Sequence, residues 1–201
     1  SFVMIPCAVF AFQYSEDVIE LLFGHGAFDA EAIALTSDAM RCYSLGLVFI
    51  SYHAILTRAL YSIKKVSVAS FCTCVSLLVN VCMNCLLAPK MGIRGLALAT
   101  SMANMVLTIL LSGTLAKTIG KSFLEKGASD IMKCLICSGL MGLVSWIALD
   151  QLSKLMPTLL GCIISAIVGM IVYLFLALLL RVGIISGTIT QKLKKLINHT
   201  K

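Results

Sequence analysis

The sequence predicts an all-α polytopic membrane protein, a bundle of about six transmembrane helices. Of its 201 residues, 60% are hydrophobic and 12% are charged, and the mean hydropathy is +1.02. Soluble domains are roughly half apolar and about a quarter charged. The apolar residues form runs of about 20, the length that a helix needs to cross a bilayer. A membrane barrel requires alternating segments of roughly ten residues instead.

Six apolar runs are predicted to form the spans, and they cover residues 1–14, 39–61, 66–88, 95–116, 131–149 and 158–180. The first run is short and contains Pro6. No basic stretch or small-residue cleavage site precedes it, so it does not read as a signal peptide. We therefore expect the chain to be the C-terminal part of a longer protein.

The connection after the first span carries clear turn and capping signals. Ser15 is predicted to cap a brief interfacial helix, and Asp29 to cap the second long helix. Gly24 and Gly26 permit a chain reversal between them. His25, between the two glycines, is predicted to be a solvated loop residue.

The second span ends in polar residues with two possible roles. Arg58 can contact a lipid phosphate or a substrate pyrophosphate through its planar guanidinium, with Tyr61 and His53 nearby in sequence. Alternatively, Arg58 extends to the membrane interface, as helix-end arginines commonly do. His53 is interpreted as a hydrogen-bond partner within the bundle, with proton transfer as the alternative.

The third and fourth spans carry the strongest candidate for an ion site. Asn80 and Asn84 are one helical turn apart, and Leu96 and Thr100 repeat that spacing after a turn predicted over 89–95. Two amide oxygens, a hydroxyl and a main-chain carbonyl suit a hard cation such as sodium. Polar clusters within a membrane are functional candidates. The alternative is that these groups only hydrogen-bond between helices.

Nine cysteines do not indicate a metal or redox centre, although two C-x-x-C pairs occur. The pairs are Cys82 with Cys85 and Cys134 with Cys137, and both lie inside apolar spans without a nearby histidine. Cysteine in such a setting behaves as a small hydrophobic residue. We therefore expect no metal site beyond the possible sodium site, and no other cofactor.

The net charge of +7 is explained by membrane topology. Twelve of the 16 Lys and Arg residues fall in connections on one side, which the positive-inside rule makes cytoplasmic. The C-terminus, a basic amphipathic tail over 181–201, lies on that side and is expected to contact anionic lipids. Nucleic acid is not an expected partner.

Catalytic motifs are absent from the sequence: there is no Gly-x-Ser-x-Gly, phosphate-binding loop or His-Glu-x-x-His, and no span contains paired carboxylates. No catalytic residue is therefore predicted. A polytopic protein without ATPase motifs is expected to be a secondary transporter rather than an enzyme.

Several short motifs occur in a fixed order along the chain: Ile5-Pro6, VIELLFGHGAFDAEAI, Tyr43-Ser44-Leu45-Gly46-Leu47, Arg58-Ala59-Leu60-Tyr61-Ser62, the pair Asn80 and Asn84, and GIRGLALATS. Together they resemble the MurJ/MviN lipid II flippase family. The resemblance implies the last six helices of a fourteen-helix transporter of the bacterial inner membrane. It also implies a sodium site at Asn80, Asn84, Thr100 and the Leu96 carbonyl, with an acidic residue from an earlier helix.

By the same resemblance, residues 1–117 supply four spans of the second lobe. Residues 118–180 supply two additional helices with a lipid-facing groove for the polyprenyl tail. The expected partners are lipid II, membrane lipids and the N-terminal half of the same protein, and the expected mechanism is alternating access. The rival interpretations are a polysaccharide-unit flippase or multidrug/cation antiporter of the same superfamily, and a membrane scaffold without transport.

Overall fold

A computed structural model describes residues 2–24, 29–120, 122–152 and 158–180, and within them the chain forms seven α-helices and no strand. The helices are α1 (Met4–Gln13), α2 (Ser15–Phe23), α3 (Ala30–Ser62), α4 (Val66–Met91), α5 (Ile93–Ile119), α6 (Ser122–Leu152) and α7 (Thr158–Leu179). The predicted turn residues His25 and Gly26, and the predicted tail over 181–201, lie outside the described residues.

Five of these helices are long and apolar enough to cross a membrane. They are α3, α4, α5, the Ile131–Gln151 part of α6 and the Leu160–Leu179 part of α7. The apolar α1 has 10 residues, a length of about 15 Å, which is half the thickness of a hydrocarbon core. The predicted all-α transmembrane bundle is confirmed, and the first predicted span is a short helix.

The third helix begins where its capping residue lies, well before its apolar run. Asp29 has an extended backbone, and its carboxylate accepts a hydrogen bond of 2.9 Å from the Ala32 backbone N–H. The cap predicted for Asp29 is therefore confirmed. Hydropathy placed the start near residue 39 because a hydropathy window detects the apolar part of a helix, whereas the cap determines its first turn.

The cap predicted for Ser15 is wrong. The second helix begins at Ser15 itself, its N-cap is Tyr14, and no side chain caps its backbone. The Val18 N–H bonds to the Tyr14 carbonyl, and the Tyr14 N–H bonds to the Phe10 carbonyl, so the two short helices follow each other almost without interruption. The buried Ser15 hydroxyl instead accepts a hydrogen bond from the third helix, from Arg41.

The turn predicted over 89–95 is also wrong in its extent. The fourth helix continues through Pro89 to Met91, and the fifth begins at Ile93. A single residue, Gly92, reverses the chain with φ +59° and ψ −132°, a conformation that side chains strongly disfavour. Pro89 lies in the last turn of α4, so the backbone hydrogen bond that it cannot donate is lost close to the end of the helix.

Residues Val3–Glu125 form one compact unit. Within it α3 contacts α1, α2 and α5, and α5 packs between α3 and α4. Buried residues of α3, α4 and α5 form its core, and they are Leu56, Leu60, Ala69, Cys72, Leu107, Leu111 and Leu115. This core holds the three helices together near the ends that are remote from Gly92.

The described residues from Lys126 to Leu180 belong to a second unit. Its two helices are joined by reciprocal serine contacts, in which the Ser165 hydroxyl donates to the Ser145 carbonyl at 2.5 Å and the Ser145 hydroxyl donates to the Ser165 carbonyl at 3.1 Å. A Cβ added at Gly169 would lie 3.1 Å from the Ser145 hydroxyl oxygen. Small residues thus allow α6 and α7 to approach closely.

Candidate functional site

The candidate ion site lies on two antiparallel helices whose register is fixed at the Gly92 turn. The Gly92 N–H bonds to the Ala88 carbonyl at 2.9 Å, and the Gly95 N–H bonds to the Gly92 carbonyl at 3.0 Å. A Cβ added at Gly95 would lie 2.5 Å from the Leu87 carbonyl oxygen, so the start of α5 packs directly on the backbone of α4. This arrangement sets the polar residues of α4 opposite those of α5.

All four residues of the predicted ion site belong to one chain of hydrogen bonds. The Asn84 amide donates to the Asn80 amide oxygen at 2.8 Å. The Asn80 amide in turn reaches the Thr100 hydroxyl at 3.5 Å, and that hydroxyl donates to the Leu96 carbonyl at 3.0 Å. The structure therefore brings the four residues together, while their role in binding an ion remains a prediction.

One atom of this cluster is buried without a hydrogen-bond partner among the described residues, and it is the Asn84 amide oxygen Oδ1. An unpaired buried acceptor is costly. Neither α4 nor α5 contains an aspartate or glutamate. The cluster therefore offers neutral oxygen atoms, which fit a monovalent hard cation and bind it less strongly than a carboxylate would.

The three residues predicted to contact a lipid phosphate lie elsewhere in the fold. Arg58 and Tyr61 are exposed near the end of α3, one turn apart, and His53 is partly buried on the same helix. That end leads into the start of α4, which is about 27 Å along the helix from Asn84. These residues do not join the amide cluster, and the phosphate contact stays a prediction.

Sequence reasoning missed a network of charged residues that joins three helices. Arg41 of α3 donates to the Ser15 hydroxyl at 2.7 Å and pairs with Glu16 at 3.3 Å and with Asp38 at 3.4 Å. Asp38 also pairs with Arg94 of α5. The sequence signal that could have revealed this network was the spacing of Asp38 and Arg41, which lie one turn apart at the start of a long apolar run.

The two C-x-x-C pairs differ in their surroundings. Cys134 and Cys137 are buried on α6, whereas Cys82 and Cys85 are exposed on α4. In the part of the chain that the structure describes, no group of three or more His, Cys, Asp or Glu residues is placed to hold a metal ion. The buried pair contributes to packing within the second unit.

Comparison with known proteins identifies the family of this chain. The family model described as "Lipid II flippase MurJ" matches residues 1–161. A probable lipid II flippase MurJ of Thermotoga maritima is 29% identical over 181 residues, which are 90% of this chain and 36% of the relative. One from Bdellovibrio bacteriovorus is 30% identical over 112 residues, 56% of this chain and 21% of the relative.

A solved structure agrees in fold as well as in sequence. The lipid II flippase MurJ in an inward closed conformation superimposes with a TM-score of 0.75 and 26% identity, covering 88% of this chain and 35% of that chain. The matched part of the chain therefore spans between 21% and 36% of the length of these relatives. The resemblance predicted from the motif order is confirmed, and this multi-pass membrane protein belongs to the MurJ lipid II flippase family.

Proposed function

We propose that this chain is the C-terminal part of a lipid II flippase, which moves the undecaprenyl-linked peptidoglycan precursor across the bacterial inner membrane. The observation that carries the proposal is the family match over residues 1–161. The transported substrate would be lipid II, and no step of the transport requires catalysis by this chain. The N-terminal half of the same protein would supply the rest of the central cavity.

The proposed mechanism is alternating access between two helical lobes. The related MurJ structure was solved in an inward closed conformation. A closed conformation is one of the states that an alternating-access transporter is expected to adopt, which supports this mechanism. Residues 1–117 would supply four helices of the second lobe, and residues 118–180 would supply two additional helices facing lipid. Several side chains of α7 are apolar and about half exposed, which suits contact with acyl chains; they are Ile163, Ile167, Met170, Ile171, Leu174 and Phe175.

A complementation experiment tests the proposed function. The full-length protein that carries this segment is expressed in a bacterium whose own lipid II flippase is depleted. We expect growth and rod shape to be restored, because lipid II again reaches the outer leaflet. Continued lysis, with the protein present in the membrane at normal abundance, would contradict the proposal and favour transport of another lipid-linked sugar or a scaffold role.

We further propose that Asn80, Asn84, Thr100 and the Leu96 carbonyl form a sodium site. The unpaired Asn84 oxygen supports this, because a cation would satisfy an acceptor that the described residues leave without a donor. When bound, sodium would supply a positive charge that draws oxygen atoms of α4 and α5 together. The chain's own contribution is to hold the two amides of α4 and the hydroxyl of α5 within one hydrogen-bonded cluster.

Sodium is expected to stabilise the full-length protein, and Asn84→Ala is expected to abolish the effect. A ligand that binds only the folded state at about ten times its Kd stabilises that state by about 1.4 kcal/mol. The measurement is thermal unfolding in detergent across a sodium titration, with potassium replacing sodium at constant ionic strength.

Asn84→Asp provides the opposite test. A carboxylate at this position adds negative charge beside the cation, so we expect half-maximal stabilisation at a lower sodium concentration than in the wild type. If Asn84→Ala lowers the melting temperature equally in sodium and potassium, and the wild type does not distinguish the two ions, the amides only hydrogen-bond between helices.

A further inference from the structure

The charged network around Arg41 fixes the beginning of α5, where half of the proposed sodium site lies. Arg94 is the second residue of α5 and pairs with Asp38 of α3. Asp38 is itself held by Arg41, 3.4 Å away on the same helix. Arg41 reaches back to α2, where it contacts the Ser15 hydroxyl and the Glu16 carboxylate.

The network is complete without a ligand. Its two arginines face two carboxylates, so its formal charges cancel, and each oxygen of the Asp38 carboxylate faces a different arginine. The Asp38 side chain is 24% exposed, which reduces screening by solvent compared with a surface pair. Asp38 is the most buried charged member, since the side chains of Arg41, Arg94 and Glu16 are 37%, 46% and 64% exposed. A charge-balanced set centred on a half-buried carboxylate suits positioning rather than binding.

The first turn of α5 is therefore held on two sides. Gly95 packs on the α4 backbone near Leu87, and Arg94 connects the same turn to α3. Leu96, whose carbonyl belongs to the proposed sodium site, follows Arg94 by about 3 Å along the helix axis. Thr100, which donates to that carbonyl, lies one turn further along. A shift of the first turn would move both oxygen atoms relative to the amides of α4.

We propose that Arg94 and Asp38 are positioning residues of the sodium site, which hold the Leu96 carbonyl and the Thr100 hydroxyl opposite the amides of α4. The proposal rests on the sodium site proposed above. Arg41 anchors Asp38 and connects the position of α2 to the same turn. Groups that orient metal ligands commonly change metal affinity by 10-fold or more when they are removed.

The direction in which one substitution changes the sodium affinity distinguishes a positioning role from a purely electrostatic effect. Arg94→Gln removes a positive charge close to a cation site, and charge alone would then strengthen sodium binding. If Arg94 instead positions the ligands, the same substitution weakens binding by about 10-fold. Arg94→Lys keeps the charge and the pairing with Asp38, and we expect it to restore most of the affinity.

The experiment measures the sodium concentration that gives half-maximal thermal stabilisation of the full-length protein in detergent, with potassium as the balancing ion. We expect about a 10-fold higher midpoint for Arg94→Gln and for Asp38→Asn. The double variant should raise it no further, because the two residues act as one pair. If Arg94→Gln does not fold, Arg94→Met keeps the aliphatic part of the side chain and gives the same comparison.

Lys90→Gln is the matched control, since Lys90 is exposed in the last turn of α4 and makes no ion pair within the described residues. Its midpoint should equal or fall slightly below that of the wild type. An unchanged or lower midpoint for Arg94→Gln, in a protein whose wild type responds to sodium, would overturn the positioning role and leave the sodium site standing. A wild type without any sodium response would overturn both.

Discussion

Gly46→Leu is expected to destabilise the full-length protein by about 3 kcal/mol or more, because it separates α3 from α5. A Cβ at Gly46 would lie 2.7 Å from the Ser101 hydroxyl oxygen and 3.1 Å from the Ser101 Cα. The second of these atoms belongs to the backbone, so rotation of the serine side chain does not remove the overlap. The same substitution also disturbs the 2.8 Å hydrogen bond from the Ser101 hydroxyl to the Cys42 carbonyl.

This close approach explains why α5 presents small residues to its neighbours. Ala97, Ala99 and Ala103 are buried, and the Ala103 carbonyl accepts a 2.8 Å hydrogen bond from Ser76 of α4. Between membrane helices the stabilisation comes from van der Waals contact and from hydrogen bonds of this kind. Both weaken steeply when two backbones are pushed apart.

Gly113 provides the control for Gly46. Both glycines lie inside helices, but a Cβ at Gly113 would meet no atom within 4 Å. Gly113→Ala is therefore expected to stabilise α5 by about 0.5–1 kcal/mol, the cost of glycine inside a helix. Gly46→Ala should be destabilising by about 1 kcal/mol or more. The two variants are compared by reversible unfolding in mixed micelles, and equal effects would contradict the close contact at Ser101.

The sequence predicted those parts of the fold that depend on periodicity, composition and local capping. Runs of about 20 apolar residues identified the crossing helices, and Asp29 was correctly assigned as a cap because its hydrogen bond to Ala32 spans only three residues. Asn80 and Asn84 could be placed on one face of a helix because they are only four residues apart. The order of the family motifs then identified the family.

The features that the sequence did not reveal depend on contacts between distant residues. Serine is a common N-cap residue, yet the Ser15 hydroxyl accepts a hydrogen bond from Arg41, 26 residues later in the chain. Asp38 and Arg94 lie on different helices, far apart in the sequence, and no local pattern pairs them. The long-range network therefore became visible only in the three-dimensional structure, where it reaches the same end of α5 as the candidate site predicted from the sequence.

Leu111→Ala is expected to be the most destabilising of the leucine truncations on α5, at about 2–5 kcal/mol. Leu111 is fully buried where the core residues of α3, α4 and α5 meet, among them Leu60, Cys72 and Leu107. Lipid cannot fill the space that the substitution leaves between three packed helices, so the lost contacts are not replaced. Hydrogen bonds that join α5 to its neighbours, among them the one from Lys65 to the Thr118 hydroxyl, do not replace the van der Waals contacts that the substitution removes.

Leu78→Ala on α4 is the matched comparison, since the Leu78 side chain is 66% exposed within the described part of the chain. The two variants delete the same atoms, and unfolding of the full-length protein in mixed micelles reports the difference between a packed and an open position. We expect Leu78→Ala to stay within about 0.5 kcal/mol of the wild type. Similar losses for both variants would mean that Leu78 is covered by another part of the protein, and a small loss for Leu111→Ala would mean that the three helices pack differently at this level. The first outcome would locate a face of α4 that contacts protein rather than lipid, because exposure to lipid alone gives a leucine no protein contacts to lose.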